Sequence, residues 1–127
     1  MRKYPLTNLF FTAKEFTLDA YPEKTCSIDR LITQPKLVAV AKAGTKTQQR
    51  RDGVYGWPGE KFVLDGVTFV MIALTRQSLG DMTDEQARAE GYTDLASYKD
   101  NIIKMHPGMT WNTKHLVWVH QFTVMES

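Results

Sequence analysis

The clearest hydrophobic pattern lies in the middle of the chain, where FVL and VTFVMIAL flank the dipeptide Asp65-Gly66. Val, Phe and Ile favour strands, and Asp-Gly supplies the positive φ angles that a tight type I′ turn requires. The pattern therefore predicts a β-hairpin. The segment HLVWVHQFTV, residues 115–124, is rich in β-branched and aromatic residues and predicts a further strand.

Two shorter segments carry start and stop signals for helices. Pro35 suits the first position of a helix, where its missing N–H costs nothing, and Gly44 suits the left-handed residue that ends one. Thr83-x-x-Gln86 has the pattern of a capping box, and Gly91 supplies the stop. We therefore expect one helix that ends at Gly44 and another between residues 83 and 91.

A third helix is predicted to start at Thr93 or Asp94 and to run to about Met105. Apolar residues recur there at helical spacing, and Pro107-Gly108 follows as a terminator. The remaining segments are less regular: LTNLFFT resembles a strand, residues 25–33 fit either a strand or a helix, and residues 45–60 read as a loop. Strands with helices between them predict a small α+β domain or a partly open barrel.

Composition narrows the class of protein. The 127 residues suit a single domain, with residues 1–34 as a less certain N-terminal extension, and a hydrophobic share of 43% excludes wholesale disorder. Cys26 is the only cysteine, so the sequence offers neither an internal disulfide nor a paired-cysteine metal site. The longest apolar run, residues 69–74, is far too short to cross a bilayer. No signal-peptide pattern is seen, so we expect a cytoplasmic protein without a membrane partner.

The net charge of +2 is too small to indicate a nucleic-acid binder, but the charges are unevenly distributed. Residues 81–94 carry five acidic residues and one arginine. The charged residues within 42–51 are all basic, namely Lys42, Lys46, Arg50 and Arg51. Charge clusters of this kind are often merely solvated faces. The basic run, however, lies in GTKTQQRRDGVYGWPG, which also offers Thr and Gln donors and the stackable rings of Tyr55 and Trp57. These groups together are typical of a surface that recognises a nucleotide.

The segment AGTKTQQRRDG resembles the G-x-K-x-x-T-x-R motif of ASCH domains, which are small proteins with a PUA-like β-barrel. The resemblance continues through WPGEKFVL, LGDMTDEQARAEGY, HPGMTW and VWVHQFTV, in order, and covers roughly residues 35–124. It implies a small PUA-like barrel with two or three helices packed at its ends. It also implies that RNA or a modified nucleoside is the partner, bound in a cleft between residues 44–57 and 81–91.

A bacterial branch of this family hydrolyses the amide of N4-acetylcytidine with a lysine, a threonine three residues later and a downstream glutamate. The resemblance places the lysine at Lys46 and the glutamate at Glu90, whereas Gln49 occupies the threonine position. The hydroxyl of Thr47 lies two positions earlier than the motif requires. Without the threonine nucleophile, hydrolysis would need a water activated between Lys46 and Glu90 and positioned by Gln49.

Several side chains have two interpretations. Glu90 either pairs with Lys46, or it faces water or pairs with Arg88. Arg51 either binds ligand together with Lys42, Thr47 and Arg50, or holds the loop through Asp52 or backbone carbonyls. Trp57 either stacks on a ligand beside Tyr55 or anchors its loop.

The histidines at 106, 115 and 120 have no metal-ligand spacing, so we expect surface or strand-end histidines, no metal and no other cofactor. Three functions stay open. The first is a module that binds RNA or a modified nucleoside, the second is an N4-acylcytidine amidohydrolase, and the third, weaker one is a ribonuclease. We expect a monomer or a weak dimer.

Overall fold

The structure, a computed structural model, describes residues 10–12 and 22–125. Within these residues the chain forms three α-helices: α1 (Pro35–Lys42), α2 (Asp84–Glu90) and α3 (Leu95–Met105). The same residues form five strands: β1 (Phe10–Thr12), β2 (Gln48–Arg51), β3 (Lys61–Leu64), β4 (Val67–Ser78) and β5 (Leu116–Val124). Two short 3₁₀ turns, Ile28–Arg30 and Leu79–Asp81, complete the architecture.

The strands form one antiparallel sheet in the order β1-β4-β5-β2, with β3 paired to the start of β4. The long strand β4 lies at its centre, because β3 and β1 share one of its edges and β5 occupies the other. A bulge between Met71 and Ala73 shifts the register of β4 against β5. Bulges bend and twist a strand, and here the sheet curls into a half-barrel. This architecture confirms the predicted α+β class with a partly open barrel.

Local sequence signals predicted the hairpin and the helix ends correctly. Asp65 and Gly66 both have positive φ, +48° and +80°, in the tight turn that joins β3 to β4. Thr83 and Gln86 form both hydrogen bonds of the capping box at the start of α2. Gly91 follows α2 at φ +106°, where a Cβ would lie 3.1 Å from Val40 Cγ2. Glycine therefore ends α2 and also allows its close approach to α1.

The N-terminal segments are described only in part. Residues 10–12 of the suggested strand LTNLFFT form β1, and the rest of that segment lies outside the described residues. The ambiguous segment 25–33 contains a 3₁₀ turn, Ile28–Arg30, capped by the Ser27 side chain. It is therefore neither a strand nor an α-helix.

The prediction of a loop over residues 45–60 was wrong for Gln48–Arg51, which form β2. Its four consecutive polar residues, QQRR, offer none of the apolar alternation that marks a strand. The strand forms instead because its backbone pairs with the edge of β5, where Gln49 lies opposite His120 and Arg50 opposite Val119. Pairing to a neighbour thus overrides the local sequence preference.

The larger apolar core lies between the sheet and the 28–32 segment. At its centre the rings of Phe62 and Phe69 stack at 5.4 Å, and Phe122 meets both edge-on at 5.8 Å. A smaller cluster of Met82, Ala87 and Tyr98 joins α2 to α3. Because α2 also packs against β2, this second cluster holds the acidic helix beside the basic strand.

His120 contradicts the expectation of surface or strand-end histidines, since it lies within β5 and is fully buried. Its Nε2 accepts a hydrogen bond from the Tyr55 backbone N–H at 3.0 Å, and Nδ1 lies 3.2 Å from the Gln49 carbonyl. Nε2 must therefore be unprotonated, and Nδ1 donates to the carbonyl. Burial is the main reason that the pKa of His120 falls from 6.5 to about 4. This neutral ring fastens the segment after β2 to the sheet.

The buried His120 predicts a loss of stability in mild acid. Below pH 6.5 the unfolded chain binds a proton at this residue that the folded chain does not bind until about pH 4. The free energy of unfolding should therefore fall by about 2 kcal/mol between pH 7.5 and pH 5. Urea unfolding across this range measures the slope. The variant His120→Gln should flatten it, whereas the exposed control His106→Gln should not, and equal slopes in all three proteins would contradict the prediction.

Candidate functional site

Lys46 is brought into the interior by the turn that follows α1. Its backbone N–H bonds to the Val40 carbonyl at 3.1 Å, and the residue is 1% exposed. The side-chain Nζ donates to the carbonyls of Gln48 and Glu90, at 2.6 and 2.7 Å, and to Glu90 Oε1 at 3.5 Å. These three acceptors match the three N–H groups of a protonated ammonium. Lys46 thus ties the start of β2 to the end of α2.

Glu90 is the last residue of α2 and is also 1% exposed. A carboxylate at the C-terminus of a helix is disfavoured by the helix dipole, and its burial adds a desolvation cost. Two cations offset both effects, because Oε2 accepts from Arg50 Nη1 at 2.8 Å while Oε1 faces Lys46. Of the two interpretations of Glu90, the pairing with Lys46 is the one found, and Arg88 instead donates to the Thr93 carbonyl.

Arg50 extends this buried charge cluster, which we define as Lys46, Arg50 and Glu90. Its Nε and Nη2 both donate to Gln77 Oε1, at 3.0 and 2.9 Å. The Gln77 amide in turn donates to Gln86 Oε1 at 3.0 Å, the same oxygen that caps the start of α2. The Arg50 guanidinium is therefore hydrogen-bonded to Glu90 on one side and to Gln77 on the other, and it links β2, β4 and α2.

The electrostatic environment of Lys46 is mixed. Burial lowers the pKa of Lys46 below the ordinary lysine value, Glu90 opposes this shift, and Arg50 and Arg51 add to it. A lysine that serves as a general base needs a lowered pKa of this kind. It also needs a free lone pair, whereas all three N–H groups of the Lys46 ammonium are engaged. Lys46 therefore has the geometry of a structural cation that holds the start of β2 against the end of α2.

A cleft of about 840 Å³ opens directly above this cluster. Its floor contains Gln49, Arg50 and Glu90, whereas Lys46 lies behind them and does not line it. One wall comes from residues 25–37, and the other from α3 and the segment that follows α3. The rings that line the cleft are Tyr55, Tyr92, Tyr98, His106, Trp111 and His115.

Arg51 and Tyr55 form the part of the lining next to β2. Arg51 donates to the carbonyl of Leu31 from Nε and Nη2, at 3.2 and 2.8 Å, and from Nη2 to Arg30 O at 3.1 Å. Its guanidinium lies 5.0 Å from the centre of the Tyr55 ring. The structural interpretation of Arg51 through backbone carbonyls therefore holds, and the residue also faces the cleft. Asp52 does not pair with it and bonds instead to His115 Nε2 at 2.7 Å.

Three residues suggested by the sequence lie outside the cleft lining of the described chain. Lys42 pairs with Asp65 at 2.6 Å on the surface. Thr47 connects α2 to β5 through its backbone, because its N–H bonds to Ala89 O and its carbonyl accepts from Phe122 N. Trp57 follows the anchoring interpretation, since its indole N–H donates to Pro22 O at 2.7 Å.

Sequence reasoning missed the wall of the cleft that α3 and the following segment provide. The rings of Tyr92 and Trp111 each meet the buried ring of Tyr98 edge-on, at 5.2 and 6.1 Å, and the three form one aromatic cluster. Three aromatic residues within twenty positions were the available signal, but their shared face depends on the packing of α3 against α2.

In the described part of the chain, the His, Cys, Asp and Glu side chains form no group of three or more that could hold a metal ion. None of the helices there combines the length and the apolar character that spanning a membrane requires.

The chain matches no protein-family model and no curated protein sequence. Its fold is similar to that of a crystal structure of an ASCH domain from Lactobacillus crispatus, with a TM-score of 0.57 over 69% of this chain and 69% of that chain. The two sequences are 13% identical, so the likeness concerns the fold alone. The chain therefore has an ASCH-type fold, which is the fold that its sequence motifs implied.

Proposed function

We propose that this chain is an ASCH domain whose cleft binds an unpaired nucleotide of RNA or a modified nucleoside. The observation that carries the proposal is the composition of the cleft, which combines polar groups on its floor with aromatic rings and a guanidinium on its walls. Bases that are not paired expose both their faces and their hydrogen-bonding edges to such a surface. A volume of about 840 Å³ lies within the range of small-molecule sites.

Arg51 is the cation best placed to meet a phosphate. Its Nε and Nη2 are bonded to carbonyls, whereas Nη1 donates to no group among the described residues. The carbonyl bonds hold the guanidinium in place, so little side-chain entropy is lost when a ligand binds. Arg50, by contrast, is 5% exposed and is engaged by Glu90 and Gln77. We assign phosphate contact to Arg51 and a scaffold role to Arg50.

Hydrolysis of an N4-acylated cytidine is the second candidate function. It is favoured by Glu90, which lines the cleft and pairs with Lys46, and by the lowered pKa of Lys46. Two observations weigh against it. The ammonium of Lys46 is saturated by three acceptors, and Gln49 supplies no nucleophilic atom at the position where the family motif has threonine.

The binding proposal predicts a specific role for Arg51 in RNA affinity. Arg51→Gln should weaken binding of a fluorescein-labelled, mixed-sequence single-stranded RNA decamer by about tenfold, because one charge-assisted contact to phosphate is lost. The dependence of log affinity on log salt should become shallower by about 0.7, the value for one phosphate contact on a single strand. Fluorescence anisotropy at several salt concentrations measures both quantities.

The matched control is Arg88→Gln, because Arg88 is exposed and does not line the cleft. It should leave both the affinity and the salt dependence close to those of the unmodified protein. A duplex of the same sequence should bind more weakly than the single strand, since its bases are not free to enter the cleft. Equal effects of the two arginine substitutions, or no binding by the unmodified protein, would contradict the proposal.

All three N–H groups of the Lys46 ammonium are engaged, so we expect the protein not to hydrolyse a nucleoside that it binds. Incubation of the protein with N4-acetylcytidine should release no cytidine above the rate without protein, as measured by chromatography at a protein concentration close to that of the substrate. The variant Gln49→Thr restores the hydroxyl of the family motif and tests whether the nucleophile is the missing element. Release of cytidine by the unmodified protein would establish the hydrolase instead.

A further inference from the structure

His115 lines the cleft and is paired with a carboxylate that lines it too. Its Nε2 lies 2.7 Å from Asp52 Oδ1. The two side chains are 43% and 83% exposed, so a ligand in the cleft can reach both of them. The backbone is held on both sides, because the His115 N–H donates to the Asn112 carbonyl at 3.1 Å and the His115 carbonyl accepts from Leu79 N at 2.9 Å. His115 is thus an accessible ring on a fixed backbone.

The bond to Asp52 decides what the imidazole offers to a ligand. An ionised carboxylate only accepts, so Nε2 carries a proton and donates to Asp52. The other ring nitrogen, Nδ1, makes no hydrogen bond within the part of the chain that the structure describes. In the neutral ring Nδ1 can only accept, whereas in the protonated ring it donates. A proton therefore converts this nitrogen from an acceptor that repels a phosphate oxygen into a donor that binds one.

Protonation also changes the charge next to Arg51, the residue to which we assign phosphate contact. Arg51 directly precedes Asp52, and both residues line the cleft. The neutral ring of His115 leaves the negative charge of Asp52 uncompensated, whereas the protonated ring neutralises it. A phosphate bound by Arg51 therefore favours the protonated form of His115, both through the charge and through the additional donor.

Other charged groups lie around the pair on the neighbouring elements. Asp52 is close to Arg76 of β4, since its carboxylate opposes the lowering of the Arg76 pKa that burial causes. Further charged residues adjoin the pair in the chain or lie in the turn Leu79–Asp81, namely Arg51, Asp81 and Lys114. Besides the buried charge cluster, the other titratable residues of the cleft lining are Cys26, Tyr55, Tyr92, Tyr98 and His106.

Histidine is the residue type among these whose charge ordinarily changes between pH 5 and pH 8. His120, within β5, stays neutral down to about pH 4, because its burial lowers its pKa to that value. His106 lines the cleft but forms no ion pair with an acidic side chain of the described residues. His115 is therefore the cleft histidine whose protonated ring has an anionic partner in place.

We propose that His115 is a second phosphate-binding residue of the cleft, which binds in its protonated form while Asp52 orients the ring. Binding of a nucleotide phosphate is then coupled to the uptake of a proton, and the affinity for RNA increases as the pH falls. This inference rests on the proposed nucleotide binding and deepens it by adding a binding residue and the proton that this residue requires.

The first test measures the pH dependence of binding by the unmodified protein. The mixed-sequence RNA decamer carries a cyanine label for this purpose, because the charge of fluorescein itself changes in this range. We expect fluorescence anisotropy to show binding about fivefold tighter at pH 6.0 than at pH 8.0. Titration calorimetry in two buffers of different ionisation enthalpy should show the uptake of about half a proton per bound RNA at pH 7. Neither measurement depends on how a variant folds.

Three variants connect the effect to His115. His115→Gln keeps a donor for Asp52 but cannot gain a charge, so its affinity should be the same at both pH values and its proton uptake should be lost. His115→Lys carries its charge throughout this range and should bind at pH 8.0 about as tightly as the unmodified protein does at pH 6.0. The matched control, His106→Gln, removes the other histidine of the cleft lining and should retain the fivefold pH dependence. Thermal melting at both pH values checks that the variants fold.

The outcomes separate this inference from the proposed function. If RNA binds in an Arg51-dependent manner but equally well at both pH values and without proton uptake, the role of His115 is overturned and nucleotide binding stands. The role of His115 is also overturned if His115→Gln retains the full pH dependence, or if His106→Gln is the variant that loses it. If RNA binds at neither pH, the proposed function itself fails.

Discussion

The pairing of Glu90 with two buried cations is the interaction on which the rest of the molecule depends. Lys46, Arg50 and Glu90 are each at most 5% exposed, so each charge needs its partners. Removing one member of a buried ion pair typically costs about 3–5 kcal/mol, because the remaining charge is left uncompensated. The cluster joins the turn after α1, strand β2 and the end of α2 at one point. Arg50 and Glu90, which line the cleft, are therefore held by the same ion pair that joins these elements.

Local signals in the sequence were sufficient for most elements of the fold. The Asp65-Gly66 turn and the Thr83–Gln86 capping box depend on residues close together in the chain, so they were predicted correctly. Strand β2 was not, because QQRR forms a strand only by pairing with β5. His120 was likewise misjudged, since its partners lie 65 and 71 residues away in sequence. Long-range contacts set both features, and a single sequence does not reveal them.

The same limit applied to the site. The family resemblance suggested that Lys46 and Glu90 belong to one cleft, and they lie 3.5 Å apart, although only Glu90 lines it. The sequence could not separate the roles of the adjacent Arg50 and Arg51. In a strand, successive side chains point to opposite sides, so one guanidinium reaches Glu90 and the other reaches the Leu31 carbonyl. Knowledge of β2 as a strand was needed to make that distinction.

Gln49 differs from the other floor residues of the cleft in how it is held. Its backbone is committed to the sheet and to His120, whereas its side chain contributes one long hydrogen bond to the Arg50 carbonyl. Exchange of this side chain therefore removes none of the hydrogen bonds that join Lys46, Arg50 and Glu90. Lys46, Arg50 and Glu90 have no such freedom, because their polar groups hold the fold together. The floor of the cleft therefore combines one residue that is held mainly by its backbone, Gln49, with two that are held by their side chains, Arg50 and Glu90.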